Sequence, residues 1–396
     1  PTWDPAHPVI VGTLYNDQDQ VTGTTYGDGV LWKPLKADAF GHTLTQQYGN
    51  GLTAAAEYEA LTGRLKQARV YREHVEPNQV SWQEPVQIFQ YDWNADGSLH
   101  RRTRKALKVN ENDQVDGFTY TARGELQTWT TIGANKLVQN GSITTDGFGN
   151  LTTSPAGEYH YLSERLQSVK QQNGQISYEY DANGNVTQRS DQNGSTSLVY
   201  DALGRVNRIT DSQGPLEITY SAGGAKVHTK NPKTGKETVY VGAYQEERGG
   251  ELGEKVISRY NLGPAQLVRT WNGPTEPMSY VDQPLTYLTP AGHLGSLTLV
   301  TDAAGTIKQE RSFGIWGMER DPNDYLKAIL PKDDPADVNV GYTGHERKRF
   351  GGNGGQGALM DMGARYYDPA AYRMLQSDSV PGRVPAAGLE PLCLYL

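Results

Sequence analysis

Few side chains in this sequence have the residue type and spacing that catalysis or metal binding requires. The histidines are scattered at no spacing typical of metal ligands, namely His42, His100, His160, His228, His293 and His345. The single cysteine, Cys393, excludes an internal disulfide framework and any zinc site that needs several thiolates. We therefore expect neither a metal site nor a cofactor site.

Two further segments have a composition that could suit an anion. The glycine-rich GGNGGQG at 351–357 resembles a phosphate-binding loop, but it lacks the Lys-Ser/Thr ending and the following helix of such loops. We interpret it as a surface loop. The basic run HERKR at 345–349 is interpreted as a solvated charged turn. The remaining candidates are aspartates, and many of them lie in one recurring sequence motif, here called the phrase.

Composition narrows the class of protein. The chain has 396 residues, a net charge of −8 and no basic stripe, so nucleic acid is not an expected partner. No apolar run approaches the ~20 residues of a membrane span. Only 36% of the residues are apolar, whereas Gly (45) and Tyr (24) are abundant. This balance favours many short strands joined by many turns over one large core.

The recurring phrase has a period of 20 residues, because tyrosines occupy every multiple of twenty from Tyr180 to Tyr280. In the clearest repeats a Tyr-Asp pair is followed by two residues, a Gly, one further residue and an apolar residue, as in YDANGNV at 180 and YDALGRV at 200. Looser copies begin upstream at 58, 91, 120 and 145. A fixed period of this length indicates a repeat architecture.

Each repeat is predicted to form a β-hairpin. Tyr ends a strand of alternating apolar and polar residues, Asp bonds the backbone ahead of it, and Gly accepts a positive φ at the corner. Second turns are expected at 191–194, 211–214 and 231–235. Because a lone hairpin is marginal in water, the hairpins must pair into a long antiparallel sheet. We expect an all-β fold, and the period alone leaves a curved shell, a propeller and a flat ribbon open.

The phrase resembles the YD-repeat, or RHS-repeat, of bacterial polymorphic toxins, insecticidal toxin-complex C subunits and, more distantly, teneurins. Three later blocks, at 293–317, 341–347 and 362–378, resemble the RHS-associated core domain that closes such repeats. The likeness implies four parts. They are a lead-in segment at 1–37, YD/RHS repeats at 38–280, the core domain at 281–378 and a tail at 379–396 near a cleavage site.

The resemblance also implies a function. A β-ribbon would spiral into a hollow shell that encapsulates a C-terminal toxin polypeptide and helps to deliver it. An upstream segment or a second shell subunit is expected to complete the wall, and the assembly is expected to be extracellular, secreted or delivered by a bacterial secretion system. Two alternatives stay open: a non-enzymatic exported repeat protein for adhesion or binding, and a degenerate scaffold without cargo.

Self-cleavage of the aspartyl type is implied as well, in a single turnover that frees the toxin. The resemblance assigns this chemistry to Asp368 and Asp378, with Arg365 beside them. Two carboxylates in a dry site do not both ionise easily, so one can donate a proton while the other activates water, and a guanidinium can hold a carboxylate. The chain departs from the family pattern where Tyr372 replaces a Gly. The alternative is that both aspartates only form turns.

Two features outside the repeats are predicted separately. Segment 320–340 interrupts the β pattern, and DYLKAIL at 324–330 is expected to form either a short helix or part of a loop across the mouth of the shell. Trp316, within the first of the three core blocks, is expected to anchor the core domain.

Overall fold

A computed structural model describes residues 8–74, 82–273, 280–290, 293–329, 338, 340–346 and 359–377. The glycine-rich loop at 351–357, most of the basic run at 345–349 and Asp378 lie outside the described residues. The regular structure of the described part is almost entirely β-strand, and the predicted all-β fold of tandem hairpins is confirmed. Two short 3-10 turns, Gly250–Leu252 and Tyr342–Gly344, interrupt it.

The first sheet contains 11 antiparallel strands, each hydrogen-bonded to the next in chain order. They are β1 (Val11–Tyr15), β2 (Val21–Tyr26), β3 (Gly29–Ala37), β4 (Thr43–Tyr48), β5 (Leu52–Tyr58), β6 (Leu65–His74), β7 (Trp82–Trp93), β8 (Leu99–Arg104), β9 (Gln114–Tyr120), β10 (Leu126–Ile132) and β11 (Val138–Ser142). The first three strands, which lie in the expected lead-in segment, are therefore members of the same sheet as the first repeats.

The second sheet continues the same pattern through 18 strands. They are β12 (Thr144–Thr145), β13 (Leu151–Ser154), β14 (Gly157–Leu162), β15 (Arg165–Gln171), β16 (Gly174–Tyr180), β17 (Val186–Asp191), β18 (Gly194–Tyr200), β19 (Val206–Asp211), β20 (Gly214–Tyr220), β21 (Lys226–Lys230), β22 (Glu237–Val241), β23 (Tyr244–Arg248), β24 (Val256–Asn261), β25 (Ala265–Trp271), β26 (Tyr280–Asp282), β27 (Thr286–Pro290), β28 (Leu297–Thr301) and β29 (Ile307–Glu310). The sheet thus runs on beyond residue 280, the expected end of the repeats.

The residues after Glu310 form two small sheets, here called the C-terminal block (the described residues of 312–377). Its strands are β30 (Ser312–Phe313), β31 (Glu319–Asp321), β32 (Asp324–Ala328), β33 (Met360–Asp361), β34 (Tyr366–Asp368) and β35 (Arg373–Met374). The prediction of a helix or loop at 324–330 is wrong for β32, which pairs with β31. Gln114 of the first sheet accepts from the Tyr325 N–H at 2.7 Å, and such a tertiary partner outweighs local propensity.

Each turn that follows the repeated tyrosine, here called a YD corner, combines a tight turn with a β-bulge. At Asp201 the carboxylate accepts hydrogen bonds from the backbone N–H groups of Leu203 (2.9 Å) and Arg205 (3.0 Å), and Gly204 adopts a φ of 74°. The strand register shifts by one residue at Tyr200. The same shift recurs at the tyrosines of other corners, namely Tyr58, Tyr161, Tyr180 and Tyr220. Because bulges increase local twist, their repetition curls the sheet.

Three of the tyrosines that recur every twenty residues also bond the preceding strand through their hydroxyl groups. Tyr180 donates to the Leu166 carbonyl (2.6 Å), Tyr200 to the Val186 carbonyl (2.6 Å) and Tyr220 to the Val206 carbonyl (2.9 Å). Each acceptor lies 14 residues earlier in the chain. Burial raises the pKa of Tyr220 to about 12. The repeated tyrosine therefore donates a hydrogen bond to a backbone carbonyl in addition to packing across strands.

Replacing Tyr200 by phenylalanine is expected to lower the free energy of unfolding by about 1–2 kcal/mol, because the buried Val186 carbonyl loses its donor. Urea unfolding followed by circular dichroism measures the change. The matched control is Tyr15→Phe at a side chain that is 59% exposed, where we expect a change within about 0.5 kcal/mol. Equal effects of the two substitutions would contradict the role of the hydroxyl.

The curled array brings its end against its beginning. Asn50 donates to the Thr301 hydroxyl (2.9 Å), Arg72 to the Gly305 carbonyl (3.1 Å), and the Thr298 hydroxyl to Gln87 (2.8 Å). A shared apolar cluster fills this contact: Leu31, Tyr48, Leu52, Val70, Leu262, Ala265, Leu267, Tyr287 and Leu299. The wall is therefore a curved shell rather than a propeller or a flat ribbon.

The C-terminal block lies between the two sheets and shares one core with both. The largest cluster combines residues of the first sheet, of the second sheet and of the block: Phe89, Tyr91, Phe118, Leu126, Trp129, Leu166, Val169, Ile176, Leu198, Val206, Ile315, Trp316, Leu359, Tyr366, Ala371 and Leu375. Burying this apolar surface is the main source of stability in such a chain. The block is thus held on the buried face of the wall.

Candidate functional site

Asp368 is the residue of the C-terminal block that the wall holds most closely. It ends β34, and its side chain is 0% exposed. Its Oδ2 accepts from the Tyr178 hydroxyl at 2.8 Å and from Arg189 Nε at 2.5 Å, while Oδ1 accepts from the Ala370 N–H at 3.0 Å. A buried carboxylate needs such donors, since an unpaired buried charge is strongly destabilising.

Backbone hydrogen bonds place this carboxylate on the repeats. Strands β34 and β35 form a hairpin, and the Leu375 N–H donates to the Tyr366 carbonyl at 2.8 Å. The Leu375 carbonyl then accepts from the N–H of Val186 in β17 at 2.9 Å. The Tyr159 hydroxyl donates to the Ala371 carbonyl at 3.1 Å. The hairpin is therefore seated directly on the hairpin formed by β16 and β17.

Tyr178 and Arg189 occupy repeat positions that are apolar in the neighbouring repeats. Twenty and forty residues after Tyr178 stand Leu198 and Ile218, and the positions twenty residues to either side of Arg189 hold Val169 and Ile209. All of these side chains are buried. Sequence reasoning missed the pair, although a cation in an otherwise apolar repeat position is a signal that alignment of the repeats would have exposed.

One nitrogen of the Arg189 guanidinium makes no hydrogen bond in the described part of the chain. Nε bonds Asp368, and Nη1 bonds Asp191 Oδ2 at 2.7 Å. Nη2 is buried without a hydrogen-bond partner in the described part of the chain. Burial works to lower the pKa of Arg189, but the charge of Asp368, together with Tyr178 and the hydrogen bonds to Asp368 and Asp191, outweighs it and raises the pKa above its usual range. The site therefore holds a permanent cation whose Nη2 amino group has no acceptor among the described residues.

The sequence-predicted residues fall in different surroundings. Asp368 lies in the buried site just described. Arg365 is half-buried in the turn between β33 and β34, where its carbonyl accepts from the Met362 N–H at 2.9 Å. Asp378 lies outside the described residues; Ser377, which precedes it, is exposed. The assignment of the three residues to catalysis stays a prediction.

Two other ionic clusters hold the C-terminal block to the wall. Lys226 of β21 contacts Glu346 Oε2 at 2.5 Å and Asp361 Oδ2 at 2.6 Å. In the first sheet, Asp116 pairs with Arg102 of β8 (2.6 Å) and with Arg320 of β31 (2.5 Å). Burial opposes ionisation of Asp116, but the charges of Arg320 and Arg102 outweigh it and hold the pKa of this carboxyl below its usual range.

A small cavity between the first sheet and the C-terminal block contains His293. Both ring nitrogens lack a hydrogen-bond partner among the described residues. Burial, with a further contribution from the nearby charge of Arg102, lowers the pKa of His293 to about 3, so the imidazole is neutral at pH 7. Within the part of the chain that the structure describes, no three His, Cys, Asp or Glu side chains are grouped closely enough to hold a metal ion.

Tyr372 shows how the chain accommodates its departure from the expected glycine. Its φ of 56° lies in the left-handed region, which is costly for a residue with a Cβ. The phenol ring stacks on Trp316 with centroids 4.4 Å apart and an interplanar angle of 9°. Trp316 in turn meets Trp129 edge-on at 6.0 Å. This aromatic contact offsets the backbone strain and ties the block to the first sheet.

The fold and site define a class: a curved wall of YD hairpins that encloses a small C-terminal block. Residues 165–196 and 180–216 match the RHS Repeat family model. The chain therefore contains RHS repeats across residues 165–216, where its sequence predicts them. A search of curated proteins gave no match. No helix among the described residues is long and apolar enough to cross a membrane.

Solved structures with the same fold are components of a toxin complex. The crystal structure of TcdB2-TccC3-Cdc42 matches with a TM-score of 0.67 and 19% identity, over 96% of this chain and 20% of that chain. The Tc holotoxin pore of Photorhabdus luminescens, carrying a TccC3-D651A mutation, matches with a TM-score of 0.66 and 18% identity, over 95% of this chain and 19% of that chain. The chain thus spans about a fifth of the length of the chains that it matches.

Proposed function

We propose that the chain is a wall segment of an extracellular shell that encapsulates a toxic polypeptide continuing from its own C-terminal end. The observation that carries the proposal is the seating of residues 359–377 on the buried face of the wall, through Asp368 and the Leu375 carbonyl. An upstream segment or second shell subunit completes the wall, and the repeats, core domain and tail divide at 38–280, 281–378 and 379–396.

Protection from protease tests encapsulation. In the full-length product of the gene, the segment that follows Leu396 is expected to resist added protease until urea unfolds the wall. A copy of the same segment attached before Pro1 serves as the control and should be digested at once. Equal digestion at both ends of the folded protein would contradict encapsulation and favour the adhesive or scaffold alternatives.

Self-cleavage is a second proposed activity, favoured by the buried pairing of Asp368 with a guanidinium and a phenol. Water adds to the carbonyl carbon of the scissile peptide, and an ionised carboxylate takes the proton of the water. The carbon–nitrogen bond then breaks, and a protonated carboxyl supplies the proton that the leaving amine needs. The products are a carboxylate and an amine, so the step needs no oxidant or metal to balance.

Asp368→Asn and Asp378→Asn are each expected to reduce cleavage of the full-length product by at least about 100-fold, because each removes an acid–base group. Intact-mass measurement of the purified protein over time reports the cleaved fraction. The matched control is Asp201→Asn, which alters an aspartate that only forms a YD corner. If all three variants are cleaved at the rate of the parent, cleavage does not depend on Asp368 or Asp378, and the assignment of the activity to these two aspartates is refuted.

A further inference from the structure

We infer that Arg189, a residue of the repeats, positions Asp368 for the proposed self-cleavage, so that the site is complete only on a folded wall. The inference rests on the proposed self-cleavage. Arg189 and Tyr178 are direct cross-strand partners in the hairpin of β16 and β17. Both contact Asp368 Oδ2, at 2.5 and 2.8 Å, from positions 179 and 190 residues earlier in the chain.

The arrangement fixes one oxygen of the carboxylate and assigns the other to the backbone. Oδ2 is held by the guanidinium and the phenol, whereas Oδ1 accepts the Ala370 N–H at 3.0 Å. Arg189 is itself held, because Nη1 bonds Asp191 and its side chain is only 5% exposed. A catalytic carboxylate must be kept in a productive geometry by groups that are themselves locked. Arg189 meets that requirement.

Nη2 of Arg189, which has no hydrogen-bond partner among the described residues, gives the residue a second role. A buried N–H donor without an acceptor is rare in a folded protein and points to an acceptor that arrives later. The carbonyl oxygen of the scissile peptide gains negative charge when water adds to its carbon. A fixed cationic donor beside Asp368 stabilises that charge in a buried site. The Arg189 guanidinium is therefore suited to two roles: it holds Asp368 in place, and it can stabilise the negative charge that develops on the scissile carbonyl oxygen.

Because Arg189 and Tyr178 lie far from Asp368 in sequence, the site can form only late in folding. The donors to Asp368 are assembled only after β16 and β17 have paired and the C-terminal hairpin has docked on them. Before that stage Asp368 is an ordinary solvated carboxylate on an unpaired segment. Cleavage is thereby postponed until the wall has formed around the segment that it will release, which prevents the cargo from being freed outside the shell.

The experiment replaces Arg189 by isoleucine, the residue that the next repeat carries at this position as Ile209. In the full-length product, Arg189→Ile is expected to slow cleavage by about 100-fold. Arg189→Lys retains the charge and is expected to recover part of the rate. The pH optimum of cleavage is expected to rise in Arg189→Ile by about 1 unit, because losing an adjacent cation makes a carboxylate harder to ionise. A purely structural residue would not move that optimum.

Two controls keep the result interpretable. Arg208→Ile removes an arginine whose side chain is 48% exposed, and it should cleave at the parent rate. Thermal unfolding of each variant by circular dichroism reports whether the wall is intact. Arg189→Gln, which is neutral but polar, replaces Arg189→Ile if the isoleucine variant does not fold.

The outcomes separate this inference from the activity on which it rests. If Asp368→Asn abolishes cleavage while a folded Arg189→Ile or Arg189→Gln cleaves at the parent rate and pH optimum, the role of Arg189 is refuted and self-cleavage stands. If Asp368→Asn itself cleaves normally, the proposed activity at this site is wrong, and the role of Arg189 falls with it. Slow cleavage with a shifted optimum in a folded Arg189 variant supports both.

Discussion

Replacing Asp116 by asparagine is expected to lower the free energy of unfolding by about 3–5 kcal/mol, the largest loss that we predict for a single charge. Asp116 is 0% exposed and is the shared partner of Arg102 and Arg320. Its Oδ1 also accepts the Thr131 hydroxyl at 2.8 Å. The substitution leaves the buried guanidinium of Arg320 and the largely buried one of Arg102 without their shared counter-charge. Urea unfolding at pH 7 measures the loss.

The cause is tested by removing the charges together. A triple variant, Asp116→Leu with Arg102→Met and Arg320→Met, is expected to recover most of the stability, since breaking a buried ion cluster costs more than replacing it whole by apolar side chains. Asp113→Asn is the matched control, because the pair of Asp113 with Lys105 is about one-third exposed. A triple variant as unstable as Asp116→Asn would show that packing, not uncompensated charge, explains the effect.

Trp316→Ala is expected to lower the free energy of unfolding by about 3–5 kcal/mol through the cavity that it leaves. The indole is 5% exposed, stacked on Tyr372 and edge-on to Trp129, so its loss also removes the contact that offsets the strained backbone of Tyr372. We therefore expect faster amide hydrogen exchange across residues 359–377 than in the parent protein. Urea unfolding and hydrogen exchange measure the two effects.

Two variants isolate the role of the Trp316 ring. Trp316→Phe keeps an aromatic surface and loses no hydrogen bond, because Nε1 has no partner among the described residues; we expect a loss of only about 1 kcal/mol. Phe148→Ala truncates an aromatic ring that is 73% exposed and should change stability by less than about 0.5 kcal/mol. An unchanged hydrogen exchange of 359–377 in Trp316→Ala would refute Trp316 as the anchor.

The hairpins and corners of this protein could be predicted from the sequence because their interactions are local. Asp201 bonds N–H groups two and four residues ahead, and Gly204 completes the same turn. The strand endings at Tyr180 and Tyr200 likewise follow from alternation and turn residues within a single repeat. The same turn and strand residues recur every twenty residues, so the all-β array could be predicted from the sequence. The structure confirms that prediction.

Segment 324–330 shows where local reasoning fails. Its residues include good helix formers, yet Asp324–Ala328 form a strand because Gln114, about 210 residues earlier, bonds both the Tyr325 N–H and the Pro322 carbonyl. No property of the segment itself indicates that partner. The closure of the array is equally invisible, since Asn50 meets Thr301 across 251 residues.

The candidate site divides in the same way. A motif near the C-terminal end was enough to select Asp368, because the motif is contiguous in sequence. Tyr178 and Arg189 were missed, since only the docking of the C-terminal hairpin on β16 and β17 brings them within 2.8 Å of that carboxylate. Sequence alone determined the strands and the corners, and it selected Asp368 only as a candidate. Tertiary structure decided how the array closes and which cation faces Asp368, because both depend on contacts between residues that no local interaction connects.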